Sequence, residues 1–417
     1  MMLIRFCLYG FLKNQQYFVP FLFLAFIEKG LTFTQIGVLL ATEGITMQAL
    51  EVPSGALADL FGRRRTMIIS FLAYMVSFLA LGLADSFWPL CGAMALFGIG
   101  ESFRTGTHKT LIFAWLKLEG RSEEKTRVYG LTRSWSKVGS AVSAPIAMGI
   151  VITTSSYSSV FYWSILPCAL SVVNLLGYPA SIDPRSEVRA TMRTVFAHLK
   201  ESLLDVRRRP KLRRMVGESI GFHGLFRASK DYVQPALAIA AVAWFGGDTL
   251  GGETTELHAM RNTAFLVGAV YCVLNFGAAF ASWKAHRFAG FAGGDAAAAR
   301  WLWGCLTVLF VGLAAASAGG VSAALIAGFA ILFMLQNLWR PILMSRIYDE
   351  VEEKRGATVL SIESQGQRLA MVVLAPLFGY LVDWASGLGE YSFTESFWPV
   401  AVVAAALSAV FLARSRG

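Results

Sequence analysis

The chain is 417 residues long, 55% hydrophobic and 15% charged, with a mean hydropathy of +0.55 and a formal net charge of +10. A soluble globule of this size carries about a quarter charged residues, so the composition excludes that class and points to the bilayer. The positive balance belongs to short loops between apolar stretches and predicts no nucleic-acid partner.

Crossing the hydrocarbon core takes about 20 residues of helix. Apolar stretches of that order run over 3–27, 34–58, 66–84, 88–116, 127–152, 158–180, 213–244, 258–283, 300–317, 320–348, 356–383 and 394–413. Lipid offers backbone polar groups no partner, so each stretch reads as helix. The expected fold class is an all-α membrane protein with twelve transmembrane helices. The first stretch reads as a span rather than a cleaved leader, because Lys13 interrupts its apolar run and no small-residue cleavage site follows.

Charge is distributed unevenly among these helices. The stretches near 66–84, 158–178, 301–317 and 396–413 contain no Asp, Glu, Lys or Arg. The others carry Lys13; Glu43 and Glu51; Glu101, Arg104 and Lys109; Arg133 and Lys137; Glu218, Arg227, Lys230 and Asp231; Arg340; Glu363 and Arg368. An ionisable group at membrane depth costs about 2.5–3.5 kcal/mol on insertion scales, so it must face a partner or water. Every third helix is therefore expected to face lipid while the rest line a polar pathway.

Loop charge sets the orientation. Arg63–Arg65, then Lys117, Arg121, Lys125 and Arg127, a basic run from Arg185 to Arg214, Lys284 and Arg287, and Lys354 and Arg355 occupy alternate loops. The opposite loops hold Asp85, Asp248, Glu253, Asp383 and Glu395, with Lys29 as their one clear cation. Basic loops stay inside, so both termini are expected in the cytoplasm. The expected domains are an N-terminal six-helix bundle over 1–180, a cytoplasmic connector over 181–212 and a C-terminal six-helix bundle over 213–417. Met192, Phe196, Leu199, Leu203 and Val206 give that connector an amphipathic helical pattern, suited to the membrane surface.

The two halves repeat faintly. Phe11, Tyr17 and Pro20 match Phe226, Tyr232 and Pro235; Glu101 to Arg104 matches Asn337 to Arg340; Lys137 and Ala144-Pro145 match Arg368 and Ala375-Pro376. A parallel six-plus-six repeat with a site at mid-membrane is an established transporter plan.

Within the fourth helix Glu101, Arg104 and His108 share a face at i, i+3 and i+7, with Lys109 beside it. Arg133 and Lys137 form an i, i+4 pair on the fifth. Ion pairing between helices, such as Glu101 with Arg133 or Lys137, is the structural reading of these charges; contact with solute is the functional one. Candidate solute contacts are Lys13, Tyr17, Arg104, His108, Lys109, Arg133, Lys137, Arg227, Lys230, Asn337, Arg340 and Arg368. The excess of cations favours an anionic or zwitterionic solute, because guanidinium forks match carboxylate and phosphate. Proton coupling needs a tuned carboxylate, for which Glu101, Asp231, Glu363, Glu43 and Glu218 are candidates.

Between the second and third helices stands Gly55-Ala56-Leu57-Ala58-Asp59-Leu60-Phe61-Gly62-Arg63-Arg64-Arg65. Gly55 would permit close helix approach, Gly62 supplies freedom for a turn, and the arginines hold the turn inside. This run resembles the G-x-x-x-D-x-x-G-R-R loop of the major facilitator superfamily, with Gly55, Asp59, Gly62, Arg63 and Arg64 at the motif positions. Glu51-Val52-Pro53-Ser54 and Arg340-Pro341 resemble further elements of bacterial members. The resemblance implies two pseudo-symmetric six-helix bundles and a role for Asp59 in steadying the outward-open state near Gly356–Thr358. The loop after the eighth helix, Ser282 to Arg287, keeps basic residues without the glycine and the acid.

No G-x-x-x-x-G-K-[ST] loop is present, which excludes direct ATP drive. Five cysteines without paired spacing and five histidines without ligand spacing predict no metal, disulfide or cofactor role. The expected function is that of a secondary active transporter working by alternating access and coupled to an ion such as the proton. The protein is expected to be a non-enzyme and a monomer in a bacterial inner membrane, with a small-molecule substrate. Efflux of amphipathic, drug-like compounds by proton antiport is the second reading, and a non-transporting membrane receptor the third.

Overall fold

The computed structural model describes residues 2–104, 107–183, 209–245, 253–350, 353–388 and 392–414, apart from the side chains of 52, 56, 59, 60, 180, 253–256 and 353–358. The connector pattern from Met192 to Val206, the Asp59 side chain and those of Gly356–Thr358 fall outside the described residues.

The described secondary structure is helical. Its α-helices are α1 (Met2–Leu12), α2 (Leu22–Glu28), α3 (Phe33–Phe61), α4 (Arg63–Leu83), α5 (Phe87–Arg104), α6 (Thr107–Leu118), α7 (Lys125–Thr154), α8 (Ser159–Leu176), α9 (Pro210–Ser229), α10 (Val233–Phe245), α11 (Glu253–Ala292), α12 (Asp295–Ala318), α13 (Ser322–Glu350), α14 (Glu353–Ser386), α15 (Phe393–Ser396) and α16 (Trp398–Arg414). Among the described residues, eight helical segments are long and apolar enough to cross a membrane. They contain α4, α7, α8, α12, α13 and most of α11 and α14, with α15 and α16 read together.

Two stretches expected as continuous helices are broken. A 3-10 turn at Val19–Phe21 separates α1 from α2, and another at Lys230–Tyr232 separates α9 from α10. Proline explains both: Pro20 and Pro235 have no N–H, and each ring crowds the carbonyl four residues earlier, at Gln16 and Asp231. The Asn14 amide adds to the first break by bonding the Gly10 carbonyl at 2.7 Å.

The chain divides into two compact units. The first comprises Met1–Gly30 and Thr42–Ala197, the second Leu31–Ala41 and His198–Gly417. In the first unit α1 lies against α7 at backbone contact. A Cβ on Gly10 would sit 2.7 Å from the Thr132 carbonyl oxygen, and one on Gly139 would overlap the Phe11 carbonyl. Gln15 seals the contact by donating to the Gly139 carbonyl at 3.0 Å. Helix α4 grips α5 through Ser70 to the Gly100 carbonyl (2.6 Å) and Ser77 to the Ala93 carbonyl (2.7 Å).

Helix ends in this unit are closed by charges. Glu28 accepts from the Tyr157 and Ser158 amides at 3.0 and 2.7 Å, capping the start of α8. Its neighbour Lys29 donates to the Gly82 and Ala84 carbonyls and to Asp85 at 3.1, 2.8 and 3.0 Å, closing the end of α4. Each sign matches the dipole of the helix end it meets. At the opposite end of α4, Asp183 accepts from the Arg63 and Arg64 amides at 2.7 and 3.2 Å. Gly62 has φ of +95°, and a Cβ there would lie 2.5 Å from the Asp183 carboxylate. Arg64 then donates to the Leu175 and Leu176 carbonyls (3.1 and 2.9 Å), closing α8. Gly62, Arg63 and Arg64 thus form a capping assembly, whereas a Cβ on Gly55 would meet no described atom within 4 Å.

In the second unit the first turns of α3 pack on α14. Asp383 caps α3 by accepting from the Phe33 and Thr34 amides at 3.0 and 2.7 Å. Phe222 stacks on Trp339 at 4.3 Å and Trp303 on Phe411 at 4.8 Å, filling the centre of the helical packing. Outward faces of both units are apolar. Helix α4 presents Ile69, Leu72, Val76 and Leu79, and α8 presents Trp163, Leu166, Leu170 and Val173, all at helical spacing. Stripes of this size match a hydrocarbon surrounding rather than water.

Candidate functional site

A cavity of about 500 Å³ opens in the first unit, lined by α1, α5, α6 and α7. The expected residues Lys13, Glu101, Arg104, His108, Lys109, Arg133 and Lys137 all line it. Its size falls in the usual range for a small-molecule site, about 300–1,000 Å³.

The backbone explains why these side chains converge. The chain turns away at Lys13, immediately past α1, and the glycine contacts draw that turn against α7. Along α7, Tyr129, Arg133, Ser136, Lys137 and Ser140 follow i, i+4, i+7, i+8 and i+11, one continuous face. The Ser136 and Ser140 hydroxyls donate to the carbonyls one turn earlier, at 3.0 and 3.2 Å, leaving oxygen lone pairs toward the lining.

The charges are only partly neutralised. Arg104 pairs with Glu101, three residues back on its own helix, and donates from Nε to the Tyr74 hydroxyl at 3.1 Å. Tyr74 in turn donates to Glu101. Three of the other four basic groups rest on aromatic faces. Lys13 lies 5.7 Å from the Tyr9 ring centre, Lys109 5.5 Å from those of Phe113 and Tyr129, and Arg133 5.9 Å from that of Tyr129. An aromatic face tolerates a cation without cancelling its charge. The cavity therefore has five basic side chains against one carboxylate. His108 is fixed by packing, stacked on Tyr9 at 3.8 Å and hydrogen-bonded to the Tyr178 hydroxyl at 3.2 Å.

Tyr17 is buried in the same unit but is absent from the lining. Glu43 lies on α3, where its carbonyl meets Gly98. The remaining candidates belong to the second unit. Glu363 of α14 is fully buried and accepts through Oε1 from Ser219, Arg340 and Gln367. Its Oε2 is buried without a hydrogen-bond partner. Arg368 donates to Ser364 at 3.2 Å. Lys230 pairs with its neighbour Asp231 at 2.6 Å, and Arg227 sits half-buried nearby on α9. Glu218 is clamped by Arg214 at 3.1 Å and Arg346 at 2.8 Å, and the Asn337 amide bonds the Phe333 carbonyl at 2.9 Å. The matched arginines of the two halves, Arg104 and Arg340, thus each hold a glutamate.

Sequence reasoning missed Tyr9, Asn14, Tyr74, Tyr129, Thr132, Ser136 and Ser140. Those on α7 carry a readable signal, since they continue the face marked by Arg133 and Lys137. Tyr74 carries none, because the apolar stretch around it, 66–84, holds no charge.

The helical architecture, the apolar outer faces and the buried charge clusters define a multi-pass integral membrane protein. The chain belongs to the Major Facilitator Superfamily, whose sequence profile matches residues 1–362. It is 27% identical over 124 residues to the "Probable sulfoacetate transporter SauU" of Cupriavidus necator, covering 30% of this chain and 28% of that protein. Against the "Hexuronate transporter" of Bacillus subtilis it is 24% identical over 153 residues, 36% and 34% of the two chains. Against "Multidrug resistance protein MdtH" of Yersinia pestis it is 26% identical over 190 residues, 45% and 44%. The matched stretches thus span less than half the length of these relatives. In fold the chain is similar to the crystal structure of the nucleoside transporter NupG (D323A mutant), with a TM-score of 0.72 at 12% identity over 100% and 99% of the two chains.

Proposed function

We propose that the protein is a secondary active transporter that carries a small polar anion across the membrane by alternating access. The observation that carries this reading is the cavity in the first unit, where five basic side chains face one paired carboxylate. Unneutralised cations at membrane depth are costly, and a bound anion offsets that cost. Lys13, Arg133 and Lys137 would contact the solute, with Tyr9 and Tyr129 as the walls that hold the cations. The substrates for which two relatives are named, sulfoacetate and hexuronate, are anions and support the same class.

The supporting arrangement is twelve helices with cytoplasmic termini, in bundles over 1–180 and 213–417 joined by 181–212, as a monomer in a bacterial inner membrane. Coupling to protons would run through Glu363, a fully buried carboxylate that holds Arg340, the arginine matched to Arg104.

Reconstituted protein should accumulate or exchange labelled organic anions, and Lys137→Gln with Arg133→Gln should abolish that flux. Preference for lipophilic cations, with no response to anions, would overturn the reading. Drug efflux is the second reading, supported by the similarity to MdtH over 190 residues. Resistance to amphipathic compounds on overexpression would favour it.

A further inference from the structure

We infer that the solute taken by this cavity carries two negative charges rather than one. The inference rests on the anion-carrier reading and adds the charge state to it. Glu101 already serves Arg104, so that pair contributes no net charge to the lining. Lys13, Lys109, Arg133 and Lys137 remain, and among the described residues none of the four has a carboxylate within ion-pair distance. Three of them lie over aromatic rings, contacts that hold a cation in place and leave its field intact. A single carboxylate would leave most of that charge unanswered.

Helix α7 supplies the geometry. Arg133 and Lys137 are one turn apart, a rise of about 6 Å, on the same lining face. One is a flat fork suited to two oxygens of one anionic group, the other a point charge suited to a second. A solute with two anionic groups on a short frame can meet both, whereas a monoanion must choose. The hydroxyls of Ser136 and Ser140 lie on the same face, and with their protons given to backbone carbonyls their oxygens can accept from a hydroxyl of such a solute.

Binding to the purified full-length protein tests this, with paired probes at constant ionic strength. Sulfate, malonate and sulfoacetate are the dianions; methyl sulfate, monomethyl malonate and methanesulfonate are their monoanionic partners. At least one dianion should bind about tenfold or more tightly than its partner, a difference of about 1.4 kcal/mol. The preference should fall below about threefold in Lys137→Gln/Arg133→Gln and persist in Lys284→Gln, a basic residue outside the cavity. Paired probes binding within about threefold of one another in the unaltered protein would sink the dianion inference and leave the anion reading standing. Failure of every anion, with tetraphenylphosphonium binding in their place, would remove the anion reading itself. Silence from all probes counts against the inference.

Discussion

Two glycines ten residues apart on α7 give opposite expectations for the same substitution. At Gly139 an added methyl group would overlap the Phe11 carbonyl oxygen, and a backbone atom cannot swing aside. Helix α1 must move away, at a cost of about 1–3 kcal/mol for overpacking. At Gly149 an added Cβ meets nothing within 4 Å. There the alanine removes backbone freedom from the unfolded chain and should stabilise by about 0.5–1 kcal/mol. Gly139→Ala and Gly149→Ala should therefore shift the unfolding midpoint of the purified protein in opposite directions. Because Lys13 directly follows α1 and α7 carries Arg133 and Lys137, Gly139→Ala should also weaken anion binding, and Gly149→Ala should not. Equal shifts of one sign, or unchanged affinity in the destabilised variant, would refute the claim that this helix contact sets the cavity wall.

Lys29→Met should destabilise the first unit by about 1.5–3 kcal/mol, since a charged donor leaves two helix-end carbonyls and Asp85, as read by thermal melting. Gly62→Ala should cost about 1–3 kcal/mol for its left-handed backbone and its clash with Asp183; in an Asp183→Ala background the steric share should vanish, which a double-mutant cycle measures. Arg340→Gln should cost about 3 kcal/mol, the lower end for a broken buried pair because the Arg340 side chain is 43% exposed. Adding Glu363→Gln should restore much of that loss, and a double variant as unstable as Arg340→Gln alone would show that the pair is not what stabilises this cluster.

The family was legible in the turn from Gly55 to Arg65, and the helical class in hydropathy, because both are properties of neighbouring residues. The charges of Lys13, Arg104, Lys109, Arg133 and Lys137 within apolar stretches were legible too, and these residues line one cavity of the first unit. The breaks at Val19–Phe21 and Lys230–Tyr232 were not foreseen, although Pro20 and Pro235 stood in plain view. Helical periodicity continues across a proline, so an apolar run conceals the turn beneath it. Least visible were the charges that close helix ends. Lys29 read only as an out-of-place cation in an acidic loop, and its partners lie more than 50 residues away. Asp183 meets Arg63 across 120 positions. Spacing rules reach three or four residues along one helix, and such contacts depend on how helices stand side by side.

The place of Asp183 has a mechanical consequence. It lies seven residues beyond the end of α8, and its carboxylate is clasped by the amides of Arg63 and Arg64. A pull on the chain at Asp183 is therefore delivered first to the start of α4, at the glycine-and-arginine corner, before it reaches any helix that walls the cavity. That clasp spreads a pull on the chain over two helix ends, instead of letting it unwind α8 from its last turn.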